Sequence, residues 1–132
     1  MKKLILIASV FMSIFSVSAG MQNLKDQAPT EGSAANFFIN FIKAAPQMGL
    51  EEAKKNATEA ARFYAVEQKD LDRYATIDFE KPFRWIELPQ ANGFVRVQVR
   101  YTHASGDLSQ GVMLKKIDGK WMFASKNADK DK

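Results

Sequence analysis

From Ile77 onward apolar residues recur at every second position, and that period dictates a sheet with one buried face. Phe94 to Tyr101 (FVRVQVRY) alternates without a break, placing Val95, Val97, Val99 and Tyr101 on one side. Phe83 to Leu88 (FRWIEL) precedes it as a strand, Leu108 to Ile117 follows, and Trp121 to Ser125 closes the run. Between them lie a Pro89–Gly93 turn cluster, a turn from Thr102 to Asp107, and Asp118-Gly119, a strong hairpin signal.

Turn lengths then predict registers. A five-residue first turn sets Leu88 opposite Phe94, Trp85 opposite Val97 and Phe83 opposite Val99. The second hairpin sets Tyr101 opposite Leu108, Val97 opposite Val112 and Val95 opposite Leu114. The third sets Lys116 opposite Trp121 and Leu114 opposite Phe123. All three put the same apolar set on one side, from Phe83 and Trp85 to Trp121 and Phe123. A one-residue slip would turn that set outward, so the agreement predicts a four-stranded antiparallel meander.

Upstream, the period is helical. Ser33 is placed to cap a helix carrying Phe37, Phe38, Phe41 and Ile42 on one stripe, with Pro46 and Gly49 ending it. Leu50, Ala53, Ala57, Ala60, Ala61 and Tyr64, with Leu71 and Tyr74 further on, form a second helical pattern. Glu51 and Glu52 in its first turn suit the helix dipole, and its small alanines allow a close neighbour. The expected fold is α+β: two N-terminal helices packed on a curled four-stranded antiparallel meander.

This order of elements, ending in Lys116-Ile117-Asp118-Gly119-Lys120-Trp121, resembles the cone-shaped nuclear-transport-factor-2-like superfamily. It is similar in particular to small exported bacterial proteins of that superfamily that carry domains of unknown function. The resemblance covers Gly32 to Ser125 and is sharpest at the Asp-Gly-Lys-Trp turn. It implies a cone with a pocket between helices and sheet, and frequent dimers through the outer sheet face. It implies no single activity, because enzymes and binding modules share such folds. No acid–base pair here matches the catalytic positions of the enzymatic members.

Residues 1–19 read as a cleavable leader: Lys2 and Lys3, an apolar run from Leu4 to Val17, then Val17-Ser18-Ala19. An uncleaved N-terminal anchor is the competing reading of that run. Residues 20–31 are expected to be a flexible lead-in, 32–126 one domain and 127–132 a charged tail. Periplasmic or secreted localisation follows, with no lipobox cysteine to anchor a lipid. Without Lys2 and Lys3, 17 basic residues face 15 acidic ones, so the mature charge is +2 instead of +4. That balance removes the case for nucleic acid that a whole-chain pI of 9.3 suggests.

Cysteine is absent, which excludes disulfides, thiolate metal sites and cysteine nucleophiles. His103 is the single histidine and lies beside Ser105 and Asp107 on one turn, too close together to build a nucleophile–base–orienter geometry. No catalytic residue, metal ligand or cofactor is therefore expected. Two binding surfaces remain. The outer sheet face combines Ile86, Leu88, Phe94, Met113, Ile117 and Met122 with Arg84, Arg96, Gln98, Arg100 and Lys115. Apolar groups edged by arginine suit protein–protein contact, either with a second copy or with another exported protein. Arg84, Arg96 and Arg100 on one side also suit an acidic ligand. The alternative surface is a small-apolar-ligand pocket inside the cone, less readily the site of an isomerase- or hydrolase-like enzyme, with Glu87, Tyr101 and Gln110 as polar contacts between Trp85 and Trp121. Lys116 and Asp78 lie at its expected rims.

Overall fold

A computed structural model describes residues 24–125. The leader at 1–19, the start of the lead-in and the charged tail lie outside the described residues. The fold is α+β, with three helices preceding a four-stranded antiparallel sheet in the order β1-β2-β3-β4. No helix among the described residues is long and apolar enough to cross a membrane.

Helix α1, Ala34–Met48, starts where Ser33 Oγ accepts a hydrogen bond from the Asn36 N–H at 3.2 Å. Its buried stripe of Phe38, Ile39, Phe41, Ile42 and Ala45 lies on the sheet. Pro46 does not end the helix; it sits inside the last turn. There its missing N–H costs a single helical bond, and the reversal falls to Gly49, whose φ of 85° suits glycine.

The second helical pattern divides in two. Helix α2 is only Leu50–Lys54, and helix α3 is Gln68–Tyr74. Between them the backbone turns to the sheet. Phe123 N–H donates to Asn56 C=O at 2.7 Å, and Thr58 N–H donates to Phe123 C=O at 2.8 Å. The groups that would continue the helix are thus spent on the edge of β4, forming a parallel bridge at Ala57. The alanine stripe allows this approach, since Ala53, Ala57 and Ala61 are wholly buried.

The strands are β1 Arg84–Pro89, β2 Phe94–His103, β3 Gly106–Ile117 and β4 Lys120–Phe123. The β2–β3 and β3–β4 registers follow the sequence reading, with Tyr101 opposite Leu108 and Leu114 opposite Phe123. The Asp118-Gly119 turn has φ of 52° and 80°, the two left-handed positions that its residue types favour. The middle hairpin is tighter than expected: His103 pairs with Gly106, so Thr102 and Asp107 belong to the ladder. The β1–β2 register is displaced by two residues, with Trp85 opposite Val99 and Pro89 opposite Val95. The five-residue connection survives but begins one residue later, closed by Gln90 N–H to Phe94 C=O at 2.8 Å. A two-residue displacement keeps every side chain on its own face, so the buried set is unchanged.

Residues of the lead-in also take part in the sheet. Lys25 and Trp85 exchange backbone hydrogen bonds of 2.6 and 2.8 Å, covering the edge of β1. Both sheet edges are therefore partly paired, which blunts edge-to-edge association.

Phe123 centres the core. Its ring lies 4.7 Å from that of Phe41, 5.5 Å from Phe37 and 5.7 Å from Phe38. Replacing Phe123 by alanine is expected to cost about 3–5 kcal/mol in urea denaturation. Phe63, which is 85 % exposed, should give a change below about 0.5 kcal/mol on replacement by serine.

Candidate functional site

Strand alternation sends one set of side chains away from the helices. Arg84, Ile86 and Leu88 come from β1, and Arg96, Gln98 and Arg100 from β2. Ser109, Gly111, Met113, Lys115 and Ile117 come from β3, and Lys120 and Met122 from β4. Leu88 stands opposite Arg96, which stands opposite Met113, so a cation is flanked by apolar groups at the middle of the face. Gly111 supplies the room for it: a Cβ there would lie 3.4 Å from Arg96 Nη2 and 3.5 Å from Gln98 Cγ. The guanidinium therefore lies across the sheet above Gly111. Beside it, Gln98 Oε1 is buried with no hydrogen-bond partner among the described residues.

Arg84 and Arg100 are directly opposed across β1 and β2, a like-charge pairing that disfavours the sheet. Arg100 has one acidic neighbour, Asp107, at 3.8 Å. Asp107 Oδ1 accepts the Thr102 hydroxyl hydrogen bond at 2.6 Å. That bond, reinforced by the charges of Arg100 and Lys81, holds the carboxyl below its ordinary range. Phe94 departs from the sequence reading, which put it on the exposed face. It is 3 % exposed, with its cross-strand partner Lys115 placing Nζ 4.8 Å from the ring centroid. A long alkyl stem opposite an aromatic ring shields it, so Phe94 is a packing residue.

The residues read as an interior pocket are held in four separate places. Glu87 Oε2 accepts the Ala35 N–H at 2.7 Å, so its carboxylate serves the first turn of α1. Trp85 donates its indole N–H to Gln27 C=O at 2.7 Å, with Lys25 Nζ 5.1 Å from its ring. Trp121 donates to Gly32 C=O at 2.9 Å, with Lys116 Nζ 5.5 Å from its ring. Tyr101 and Gln110 do come together. Tyr101 OH donates to Gln110 Oε1 at 2.9 Å, and Gln110 Nε2 donates to Tyr74 OH at 2.9 Å.

Arg73 extends that chain, giving Nε–H to Tyr101 OH at 2.9 Å and Nη2–H to Asp70 Oδ1 at 2.8 Å. The sequence reading missed Asp70 and Arg73 as members; their i,i+3 spacing was the available signal. Tyr74 had been read only as part of an apolar stripe. Asp78, expected at the mouth, caps its own turn by accepting the Glu80 N–H at 3.0 Å. His103 sets its ring edge-on to Tyr101 at 6.2 Å.

This network borders a cleft of about 180 Å³ lined by Tyr64, Glu67, Asp70, Gln110, Met113 and Phe123. The interior beyond it is filled, since Phe38, Ile42, Val97, Val99, Tyr101 and Leu114 are fully buried. Among the described residues, no group of three or more His, Cys, Asp or Glu side chains could hold a metal ion. A scan against protein-family models finds no match, and no curated protein is detectably similar in sequence.

Burial drives the Tyr74 phenol well above its ordinary 10.0, with the Asp70 carboxylate adding to the effect. Burial raises Tyr101 as well, against the opposing hydrogen bond from Arg73. A raised phenol keeps its proton in the folded state while the unfolded chain loses it. The resulting stability is complete below pH 10.0 and lost as pH rises above it. Thermal midpoints measured from neutral pH upward should fall beyond that point, with 295 nm tyrosinate absorbance appearing as the protein unfolds. Tyr74→Phe should flatten the alkaline loss while costing about 1–3 kcal/mol at neutral pH, because Gln110 Nε2 loses its acceptor.

Proposed function

We propose that this chain is a non-enzymatic exported binding module that docks through the outer face of its sheet onto an acidic surface of another protein. The observation that carries this reading is the charge of that face. Among the described residues, Arg84, Arg96, Arg100, Lys115 and Lys120 share it with a single carboxylate, Asp107. Ile86, Leu88, Met113 and Met122 lie half-buried among them and supply apolar area.

Charge also selects between partners. Two copies joined face to face would set five cations against five, so a second copy is the disfavoured occupant. An acidic partner relieves the opposed Arg84 and Arg100 and gives Arg96 a carboxylate in the apolar middle of the face. Guanidinium groups suit this role because they pair with carboxylates in a bidentate way. The leader at residues 1–19 supports a place in the periplasm or outside the cell. No cofactor enters this reading. A ligand site in the cone interior fares worse, because Glu87, Trp85 and Trp121 are engaged elsewhere and the interior is packed.

The test is binding of the full chain to fluorescent poly-glutamate, compared with a variant carrying Arg84→Glu, Arg96→Glu and Arg100→Glu. All three side chains lie on the sheet surface and fill no core position, so the variant should keep its circular dichroism spectrum. Affinity should fall about tenfold or more, and binding by the unaltered chain should weaken steeply with salt. Equal affinity in a folded variant, or a salt-insensitive dimer in sedimentation velocity, would count against this face. Phe94 is left unchanged because its burial would confound the result.

A further inference from the structure

A second surface lies at the end of the sheet where the β3–β4 hairpin meets the start of α1. It is a groove of about 480 Å³, within the size range of small-molecule sites. Trp121 forms one wall and Phe37 the other, with Asn36, Asn40, Asn56 and Lys116 around them. We propose that this groove binds a short saccharide bearing a carboxylate. The groove meets the outer sheet face at Lys120 and shares none of the three arginines of that face.

Three features select that class. First, the walls are aromatic. Trp121 is fixed by its indole hydrogen bond to Gly32 C=O, and Phe37 by its stacking on Phe41 at 6.3 Å. Rigid, partly exposed rings offer flat apolar surface to the C–H face of a sugar at little cost in side-chain entropy.

Second, the polar groups are neutral amides, each of which both donates and accepts, as a hydroxyl does. Asn36 Oδ1 takes the Gly32 N–H at 3.2 Å and the Asn40 Nδ2–H at 3.4 Å. Asn56 Nδ2 gives its hydrogen to Ala53 C=O at 3.2 Å. These bonds orient the amides while leaving Asn36 Nδ2, Asn40 Oδ1 and Asn56 Oδ1 without partners among the described residues. Two acceptors and one donor therefore line the groove in fixed positions.

Third, the charged residues lining it, among the described residues, are the cations Lys116 and Lys120; Asp118, on the turn between them, is not part of the lining. A cationic ligand is excluded, and a neutral one would leave both ammonium groups unused. An extended peptide is the competing occupant with similar polar chemistry. The ladder open to it is short, because β4 has four residues and its edge is already bonded to Asn56 and Thr58 at Phe123.

The experiment titrates the full chain with trigalacturonate, reading tryptophan fluorescence and ligand-observed magnetic resonance. Maltotriose serves as the neutral sugar and poly-glutamate as the non-sugar acid. Saturable binding of trigalacturonate is expected, with maltotriose about tenfold weaker. Asn40→Ala, at an exposed position, should weaken both sugars about tenfold. Lys116→Gln should erase the preference for the acidic one. The charge-reversed outer face should leave all of this unchanged. No saturable response by about 10 mM, equal affinity for the two trisaccharides, or an unaltered response in Asn40→Ala would overturn the proposal. So would displacement of the sugar by poly-glutamate.

Discussion

Phe123 is where three parts of the chain are joined, and the rest of the architecture depends on that joint. Its side chain fills the space between α1 and the sheet, touching the rings of Phe37, Phe38 and Phe41. Its backbone N–H and C=O hold Asn56 and Thr58, which pulls the segment after α2 out of helical geometry. The same two bonds cover the edge of a strand only four residues long. One residue therefore fixes where the second helix stops, how β4 is protected and how closely α1 approaches. The cooperation has a physical basis: the aromatic contacts hold the backbone in register for the edge bonds, and those bonds keep the ring from withdrawing.

The parity of the strands was legible in the sequence because it rests on a period that no local detail can alter. Val95, Val97, Val99 and Tyr101 face inward whichever even displacement the neighbouring strand adopts. The displacement itself was not legible. It turns on whether Pro89, which has no N–H to give, ends the strand or starts the turn, and the sequence permits both. Helix α1 was legible through Ser33 and its stripe of aromatic residues. The break after Lys54 was not, because the competitor for the helical hydrogen bonds is a strand almost seventy residues away. Periodicity reports what a segment prefers alone, and tertiary hydrogen bonds can override that preference.

Of the expected binding residues, the sheet-face cations were readable from alternation alone, since parity fixes their side. Phe94 shares their parity but is buried, because exposure depends on what a cross-strand neighbour does with a long side chain. The pocket residues illustrate the opposite failure. Glu87, Trp85 and Trp121 do face inward, as read, yet each is claimed by a backbone group from a different segment: Ala35, Gln27 and Gly32. Inward polar groups in a small domain must satisfy buried backbone before they can serve a ligand.

The same constraint sorts the remaining surfaces. Where polar atoms are consumed by the fold, as in the chain Asp70–Arg73–Tyr101–Gln110–Tyr74, binding a ligand would require breaking an existing bond. Such a network stiffens α3 against the sheet and leaves little to offer. The outer face and the groove beside Trp121 differ in kind. Arg84 and Arg100 are held against one another by the strand register, and among the described residues the amides of Asn36, Asn40 and Asn56 each keep one atom without a partner after orienting themselves. In both places the fold maintains polar groups that it does not itself consume. With its sheet edges partly paired, the domain carries these uncommitted groups on its faces, and the two proposed sites differ in chemistry because arginines supply one and neutral amides beside aromatic rings supply the other.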